Sequence, residues 1–305
     1  MGIWRYNMKG KKIMITGGLG FLGLTLTRAL APENEVIILD IGSPPGGFDT
    51  RGVHLVKKDI RDETIQEWFT GVDIVYHFAA HVTFPDSSVK TPKLDADVNI
   101  LGTINILEAC RKKNISKIVF SSTASVYGVS KHIPIKEDEL LTPLTPYGMA
   151  KKTCEEYISL YYRLYGLKEV RLRLFNVYGK GQTPHAVIPW FISLIKKGNP
   201  VHVFGDGSFT RDFIHVDDVV HAAILAGMNP CTGAFNVGTG RETSINKLLD
   251  MLKQIYGDFE IIFLPEKDGG IPRSVADTEK ANCILGFNSI ISLEDGIKIL
   301  TQNHK

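Results

Sequence analysis

Two groups of residues in this chain have types and spacings that could do chemistry. The first is Gly17, Gly20 and Gly23 in the run Gly17-Gly18-Leu19-Gly20-Phe21-Leu22-Gly23, behind an apolar β-type stretch, Lys12 to Thr16, and opening a helical one, Phe21 to Leu30. Glycines so placed allow a tight turn whose backbone can approach a pyrophosphate lying on the positive end of a helix. The spacing alone is weak evidence. It gains weight from Asp40, which ends the next apolar run, Val36 to Leu39, where a partner for a ribose diol belongs. A carboxylate there repels a 2′-phosphate, and Ile41-Gly42-Ser43 provide no arginine to hold one, so the pattern favours NAD over NADP. A solvated turn acid is the competing reading of Asp40. For Asp59 and Ile60, adenine contact and an ordinary loop stand nearly level.

The second group is Tyr147 and Lys151, four residues apart at the start of a helical pattern and therefore on one face. Such a pair is common by chance and, alone, would decorate a surface. Its position changes that. It follows a series of strands, the last ending in Ser121-Ser122-Thr123, at the edge where ligands bind in parallel sheets.

The elements that must position these residues alternate. Val53 to Val56, Ile74 to Phe78 and Lys117 to Ser121 read as strands, with helical stretches at Glu63 to Phe69 and Val98 to Arg111. Tyr147 to Tyr165 is a long amphipathic helix and Val170 to Leu174 a further strand. The order implies an α/β fold, a doubly wound parallel sheet of Rossmann type covered on both faces. Beyond Tyr178 the order is irregular: Ile188 to Lys197 helical, Pro200 to Phe204 extended, Asp217 to Ala226 and Ser244 to Ile255 helical. The expected division is a cofactor domain over 1–179 and a smaller α/β substrate lobe over 180–305, with some later segments crossing back.

Composition excludes several classes. Of 305 residues 44% are hydrophobic, enough for a well-filled core, and 35 basic against 33 acidic residues leave a formal charge of +2. No overall field holds such a chain on nucleic acid or an anionic bilayer. Cys110, Cys154, Cys231 and Cys283 are widely spaced, with no C-x-x-C pair, and read as reduced thiols of a cytoplasmic protein. Arg5, Lys9, Lys11 and Lys12 precede no secretory apolar segment, and Met8 is as good a start as Met1. No run is long and apolar enough to span a membrane.

Taken in order, Gly17 to Gly23, His77-Phe78-Ala79-Ala80, SSTASVYG (Ser121 to Gly128), YGMAK (Tyr147 to Lys151), RLFNVYG (Arg173 to Gly179), GDGSFTRDFIHVDDV (Gly205 to Val219) and FNVGTG (Phe235 to Gly240) resemble the extended short-chain dehydrogenase/reductases. Within them the chain is most similar to the nucleotide-sugar epimerases of the UDP-glucose 4-epimerase type. The resemblance implies Tyr147 as acid/base, Lys151 as its electrostatic partner and nicotinamide-ribose ligand, and Thr123 as the hydroxyl bridging tyrosine and substrate. It places Phe78, Ala79, Ala80, Asn99 and Phe175 along the cofactor, and assigns Asn176 and Arg211 to the substrate diphosphate. His77 and His81, with no metal-ligand spacing, read as structural or solvent-facing.

The resemblance also marks a departure. Many members carry Arg-x-Gly-Asp before the final Ala-Asp, where this chain has Lys267-Asp268-Gly269-Gly270-Ile271-Pro272-Arg273-Ser274-Val275-Ala276-Asp277. Either Lys267 or Arg273 completes the anion site, and Ser274 falls where a wall stands near the sugar C2 substituent. Ala124 and Ser125 stand where related dehydratases and decarboxylases carry acids, which leaves elimination without a general acid. The implied reaction is NAD-dependent C4 epimerisation of a nucleotide sugar, most simply a UDP-sugar. A dehydrogenase or 4-keto reductase, a UDP-glucuronate 4-epimerase and a non-catalytic NAD-sensing module are the alternatives. The same resemblance implies a homodimer through the Val98 to Arg111 and Tyr147 to Tyr165 helices, with Ile104, Leu107 and Tyr161 as contacts or, equally, as residues facing their own sheet.

Overall fold

The computed structural model describes residues 8–82, 89–266 and 269–302. The strands are β1 Lys12–Thr16, β2 Glu35–Asp40, β3 Val53–Lys57, β4 Ile74–His77, β5 Lys117–Thr123, β6 Lys168–Leu174, β7 Asn176–Tyr178, β8 Val201–Phe204, β9 Thr210–Arg211, β10 Phe213–His215, β11 Gly233–Val237, β12 Thr243–Ser244 and β13 Ile261–Leu264. Seven of them form a parallel sheet in the order β11-β6-β5-β4-β1-β2-β3. The side-chain period of two explains how it is covered. Ile13 and Ile15 enter one core layer with Leu26 and Leu30 of the Phe21–Leu30 helix and Val219 and Ala223 of the Val216–Met228 helix. Met14 enters the other with Ile106 and Cys110 of the Gly102–Lys112 helix and Cys154 and Ile158 of the Pro146–Tyr165 helix. Burying each of these larger aliphatic side chains contributes about 1.5–3 kcal/mol.

Three elements differ from what the pattern suggests. Glu63–Phe69 is a 3₁₀ helix. Chain from Pro92 to Lys112 is helical throughout, with a π stretch over Ala96–Leu101 that carries Asn99 into the interior. The short strand β11, in the second half of the sequence, pairs in parallel with β6 and so belongs to the main sheet. Its Gly233 and Asn236 hide it from hydropathy.

The Pro146–Tyr165 helix is well delimited. Thr145 accepts the Gly148 N–H at 3.1 Å, Pro146 opens the first turn, and Gly166 stops the helix in the left-handed region at φ 71°. Leu107 and Tyr161 are buried in this protomer's own core, so they face the sheet, while Ile104 is half-buried.

The second lobe has its own core, with Phe191, Val201, Val203, Leu248, Leu252 and Ile297 among its members. One of its ties to the sheet edge is a carboxylate. Asp212, fully buried, accepts hydrogen bonds from the Thr239 N–H (2.8 Å) and hydroxyl (2.6 Å), the Gly240 N–H (2.9 Å) and the Ala276 N–H (3.2 Å). Hydrogen bonds to a charged group contribute about 1.5–3 kcal/mol each and do not sum freely. Asp212→Ala is therefore expected to lower unfolding free energy by at least about 3 kcal/mol, read as a reduced urea midpoint. A midpoint equal to that of the wild type would remove Asp212 as a tie between the lobes.

Candidate active site

The glycine turn lies at the C-terminal end of β1. The Gly17 N–H donates to the Leu39 carbonyl at 2.9 Å, which fixes the turn to β2. Gly17 has φ +68°, and a Cβ on it would stand 2.6 Å from the Ala79 nitrogen; one on Gly23 would stand 2.2 Å from the Gly17 oxygen. No side chain fits at either position. The Phe21–Leu30 helix begins at Gly20 with no side-chain cap and no acid in its first turn, leaving its N-terminal N–H groups for an anion.

Asp40 accepts the Leu19 N–H at 2.9 Å and the Gly42 N–H at 2.8 Å, one on each oxygen, so each oxygen keeps acceptor capacity for a diol. An uncapped helix end beside a held carboxylate suits the pyrophosphate and ribose of NAD. Phe21, Leu22, Phe78, Ala79 and Ala80 are half-buried residues of the turn and the adjoining segment.

Below this turn runs a buried chain. Thr16 Oγ1 is 2.7 Å from His77 Nδ1, His77 Nε2 is 2.9 Å from Thr103 Oγ1, and the Ala79 N–H reaches Thr16 Oγ1 at 3.2 Å. Burial pushes the His77 imidazole down to about 3, so it stays neutral and structural. Asn99 is buried and holds the His81 backbone from both sides, accepting its N–H at 2.8 Å and donating to its carbonyl at 3.0 Å. It shapes the segment after β4 rather than lying solvated on a helix face. Asp59 is held by Arg61 through a two-point ion pair, which keeps its carboxyl below the ordinary range, and Ile60 is buried in the core.

Thr123 ends β5 and caps the short turn after it. Its hydroxyl donates to Ser125 Oγ at 3.1 Å and accepts the Ser125 N–H at 3.2 Å. That turn abuts the helix bearing the tyrosine and lysine, for a Cβ on Gly148 would meet the Ser125 carbonyl oxygen at 2.8 Å. Lys151 is buried, its Nζ donating to the Ser121 carbonyl at 2.8 Å, 4.4 Å from the Phe120 ring centre and 6.0 Å from that of Tyr147. Burial lowers its ammonium to about 8. Burial raises the Tyr147 phenol well above its ordinary value, and the nearby Asp95 pushes the same way. The fold thus joins the three residues at one strand end while leaving the tyrosine a phenol.

On the substrate side, the Asn176 N–H donates to the Asp212 carbonyl at 2.9 Å, which sets β7 beside Arg211. The Arg211 guanidinium donates to the carbonyls of Thr210 (2.7 Å) and Ile271 (2.8 Å), and no carboxylate among the described residues pairs with it. Ser274 is buried, and its carbonyl accepts the Asp212 N–H at 2.9 Å. Phe175 is buried beside Tyr127. Lys267 lies outside the described residues. Arg273 is turned outward to Glu242 in a two-point ion pair of 2.6 and 2.7 Å, so in this conformation it does not join Arg211. A concavity of about 1050 Å³ lies at the opposite edge of the sheet, among Lys11, Asn34 and Phe48, and contains none of these residues.

Sequence reasoning missed Asp212, Glu242 and the buried pair Glu155–Arg173. Glu155 alone carried a signal, lying one helical turn beyond Lys151 on the same face.

Comparison with known proteins agrees with this geometry. Residues 13–238 match the model of the NAD-dependent epimerase/dehydratase family. A putative UDP-glucose 4-epimerase of Methanocaldococcus jannaschii is 41% identical, over 94% of this chain and 96% of that protein. The structure of a UDP-N-acetylglucosamine 4-epimerase from Methanobrevibacter ruminantium, in complex with UDP-N-acetylmuramic acid, superposes with TM-score 0.91 at 32% identity, covering 97% of this chain and 100% of that one. A UDP-glucose 4-epimerase from Thermotoga maritima with UDP-glucose gives TM-score 0.90 at 36% identity, covering 95% and 97%. With its glycine turn, its acid at the end of β2 and its Thr/Tyr/Lys set on a seven-stranded parallel sheet, the chain belongs to the NAD-dependent epimerase/dehydratase family.

Proposed function

We propose that this protein is an NAD-dependent 4-epimerase of a UDP-sugar, working through a transient 4-keto sugar. The observation that carries the reading is the junction of Thr123, Tyr147 and Lys151 at the end of β5, with Ala124 and Ser125 in place of acids. When bound, NAD supplies a reversible hydride acceptor for C4. Gly17, Gly20, Phe21, Leu22 and Gly23 hold its pyrophosphate and Asp40 its ribose diol, with Phe78, Ala79, Ala80 and Phe175 along it. Asp59 acts only through the backbone that Arg61 fixes, and Ile60 packs beneath the adenine end.

Tyr147 takes the proton from the sugar O4 as the C4–H bond breaks and returns it when that bond re-forms. Thr123 hydrogen-bonds the same oxygen. To work as a base near neutrality the phenol needs about 4 kcal/mol of differential stabilisation from its free value, and burial enlarges that need. One positive charge at about 5 Å and an effective dielectric of about 20 supplies roughly 3 kcal/mol. Lys151 supplies one such charge and bound NAD another, so the base forms only in the loaded enzyme. Arg211, lacking a carboxylate partner among the described residues, and Asn176 bind the diphosphate. The further cation for that site is Lys267 or Arg273, the latter paired with Glu242 in this conformation.

The working division is a cofactor domain over 1–179 and a sugar-nucleotide lobe over 180–305, with β11 and the Val216–Met228 helix returning to the sheet. A cytoplasmic homodimer completes the reading. Its interface uses the outer faces of the helices around Leu101 and Tyr162, both exposed in the protomer, because Leu107 and Tyr161 serve the core. Light scattering is expected to give twice the mass of the chain, and a concentration-independent monomer would exclude this interface.

Tyr147→Phe keeps the ring and removes the proton carrier. Turnover on UDP-glucose or UDP-N-acetylglucosamine should fall by at least about a thousandfold, with NAD still bound by fluorescence. Near-normal turnover would dismiss Tyr147 as the base. Ser274, small and buried beside Asp212, leaves room at the sugar C2 position. The N-acetylated sugar is expected to turn over at a rate comparable to UDP-glucose, and Ser274→Tyr to suppress it selectively. An enzyme inert toward the N-acetylated sugar yet active on UDP-glucose would defeat this, and activity confined to UDP-glucuronate would place the choice at C6.

A further inference from the structure

The Glu155–Arg173 pair lies directly behind the candidate active site. Glu155 is 1% exposed and Arg173 4%, so both charges are out of water. Arg173 Nη2 donates to Glu155 Oε2 at 2.8 Å, and its Nε lies 3.1 and 3.2 Å from the two oxygens. The remaining Arg173 nitrogen donates to the Tyr127 hydroxyl (2.9 Å) and the Glu137 carbonyl (2.8 Å), leaving the guanidinium well satisfied. Glu155 does more than neutralise this arginine. Its Oε1 also accepts the hydroxyl of Ser122, the residue before Thr123 and after Ser121, whose carbonyl holds Lys151. One carboxylate therefore grips the strand end that carries Thr123 and belongs to the helix that carries Tyr147 and Lys151.

A buried ion pair is weak evidence for stability, because desolvation offsets the attraction, and hydrophobic replacement of both partners is often neutral. The arrangement makes sense as a device of position and charge. We propose that Glu155 is a positioning residue for the epimerisation read above: it locks the Ser121–Thr123 strand end, whose Ser121 carbonyl receives the Lys151 side chain, to the helix that carries Tyr147 and Lys151.

The surroundings of Lys151 bear this out group by group. On its own helix stand Tyr147, Cys154 and Glu155, and of these the Glu155 carboxylate favours the charged lysine against burial. From β4 faces His77, held neutral by burial, and from β5 the Ser121 carbonyl and the Phe120 ring. Asp95, from the Pro92–Asp95 turn, faces Tyr147. Arg171 and Arg173 of β6 face Glu155, at 3.9 and 2.8 Å. The Cys154 thiol is itself held protonated by burial, which leaves Glu155 the ionised group on this helix that supports the ammonium.

The test is a titration that does not need turnover. The Lys151 ammonium, identified by its loss in Lys151→Arg, is followed by ¹⁵N NMR against pH in the wild type, in Glu155→Gln and in Glu155→Gln/Arg173→Met. The double variant leaves no unpaired buried charge and keeps the experiment open where the single one fails to fold. Removing the carboxylate disfavours the charged lysine, so the midpoint should fall from about 8 in Glu155→Gln, with the acid dissociation constant rising at least about threefold, and should fall by less in the double variant, where loss of the Arg173 charge offsets part of the effect. In turnover assays the alkaline limb of the kcat profile should move down with it, while KM changes by less than about threefold. A midpoint unmoved in a folded variant overturns the proposal and leaves Glu155 a structural ion-pair partner. A wild type that epimerises no UDP-sugar sinks the reading of function, yet the titration still decides what Glu155 does for Lys151.

Discussion

The arrangement of this protein turns on a lysine ammonium that has been taken out of water. Lys151 is 2% exposed, and a charge so placed must find polar partners or lose its proton. Its hydrogen bond to the Ser121 carbonyl settles the matter geometrically, because that carbonyl belongs to the end of β5 where the chain leaves the sheet. A parallel sheet gathers such ends on one edge. The same edge carries the glycine turn after β1 and Asp40 at the end of β2, so satisfying one buried cation brings the helix of Tyr147 and Lys151 to the edge that bears them.

Much of this edge was legible in the sequence. Strands β1 to β6 announce themselves by short apolar runs because both faces of the sheet are covered; the glycines and Asp40 fall at the ends of β1 and β2, and Tyr147 and Lys151 at the start of the Pro146–Tyr165 helix. What escaped were features whose cause is tertiary. Strand β11 carries a glycine and a buried asparagine whose side chain accepts from Tyr127 and donates to the Ile135 carbonyl, a pattern that only the folded chain explains. The π stretch at Ala96–Leu101 is set by the need to bring Asn99 to His81, and no periodicity signals it. Leu107 and Tyr161 were ambiguous because helix periodicity gives the apolar face without saying what covers it.

The substrate side was less readable for a different reason. Its residues come from segments far apart in sequence, held by backbone bonds that do not depend on residue type. Thr210 N–H to the Pro272 carbonyl and Asp212 N–H to the Ser274 carbonyl, both 2.9 Å, align two segments and place Arg211 beside 271–274. Arginine spacing alone therefore could not tell that Arg211 escapes a carboxylate among the described residues while Arg273 meets one. Glu242 decides between them, and nothing near it in sequence marks it.

The catalytic edge and the substrate side differ in how they are held, and that difference bears on mechanism. Lys151, Glu155, Arg173 and His77 are buried groups with close partners, so the geometry at the end of β5 is set before any ligand arrives. Preorganisation of this kind removes reorganisation from the reaction step. Tyr147 is the exception, because burial without a bound cation keeps it protonated. In the proposed function, a bound cofactor would add its positive charge to that of Lys151, and Tyr147 would act as a base only with the neighbouring site occupied. An enzyme that must take a proton from an alcohol oxygen and a hydride from the carbon bearing it would gain from that coupling, since a phenolate formed without a hydride acceptor in place would have no reaction to serve.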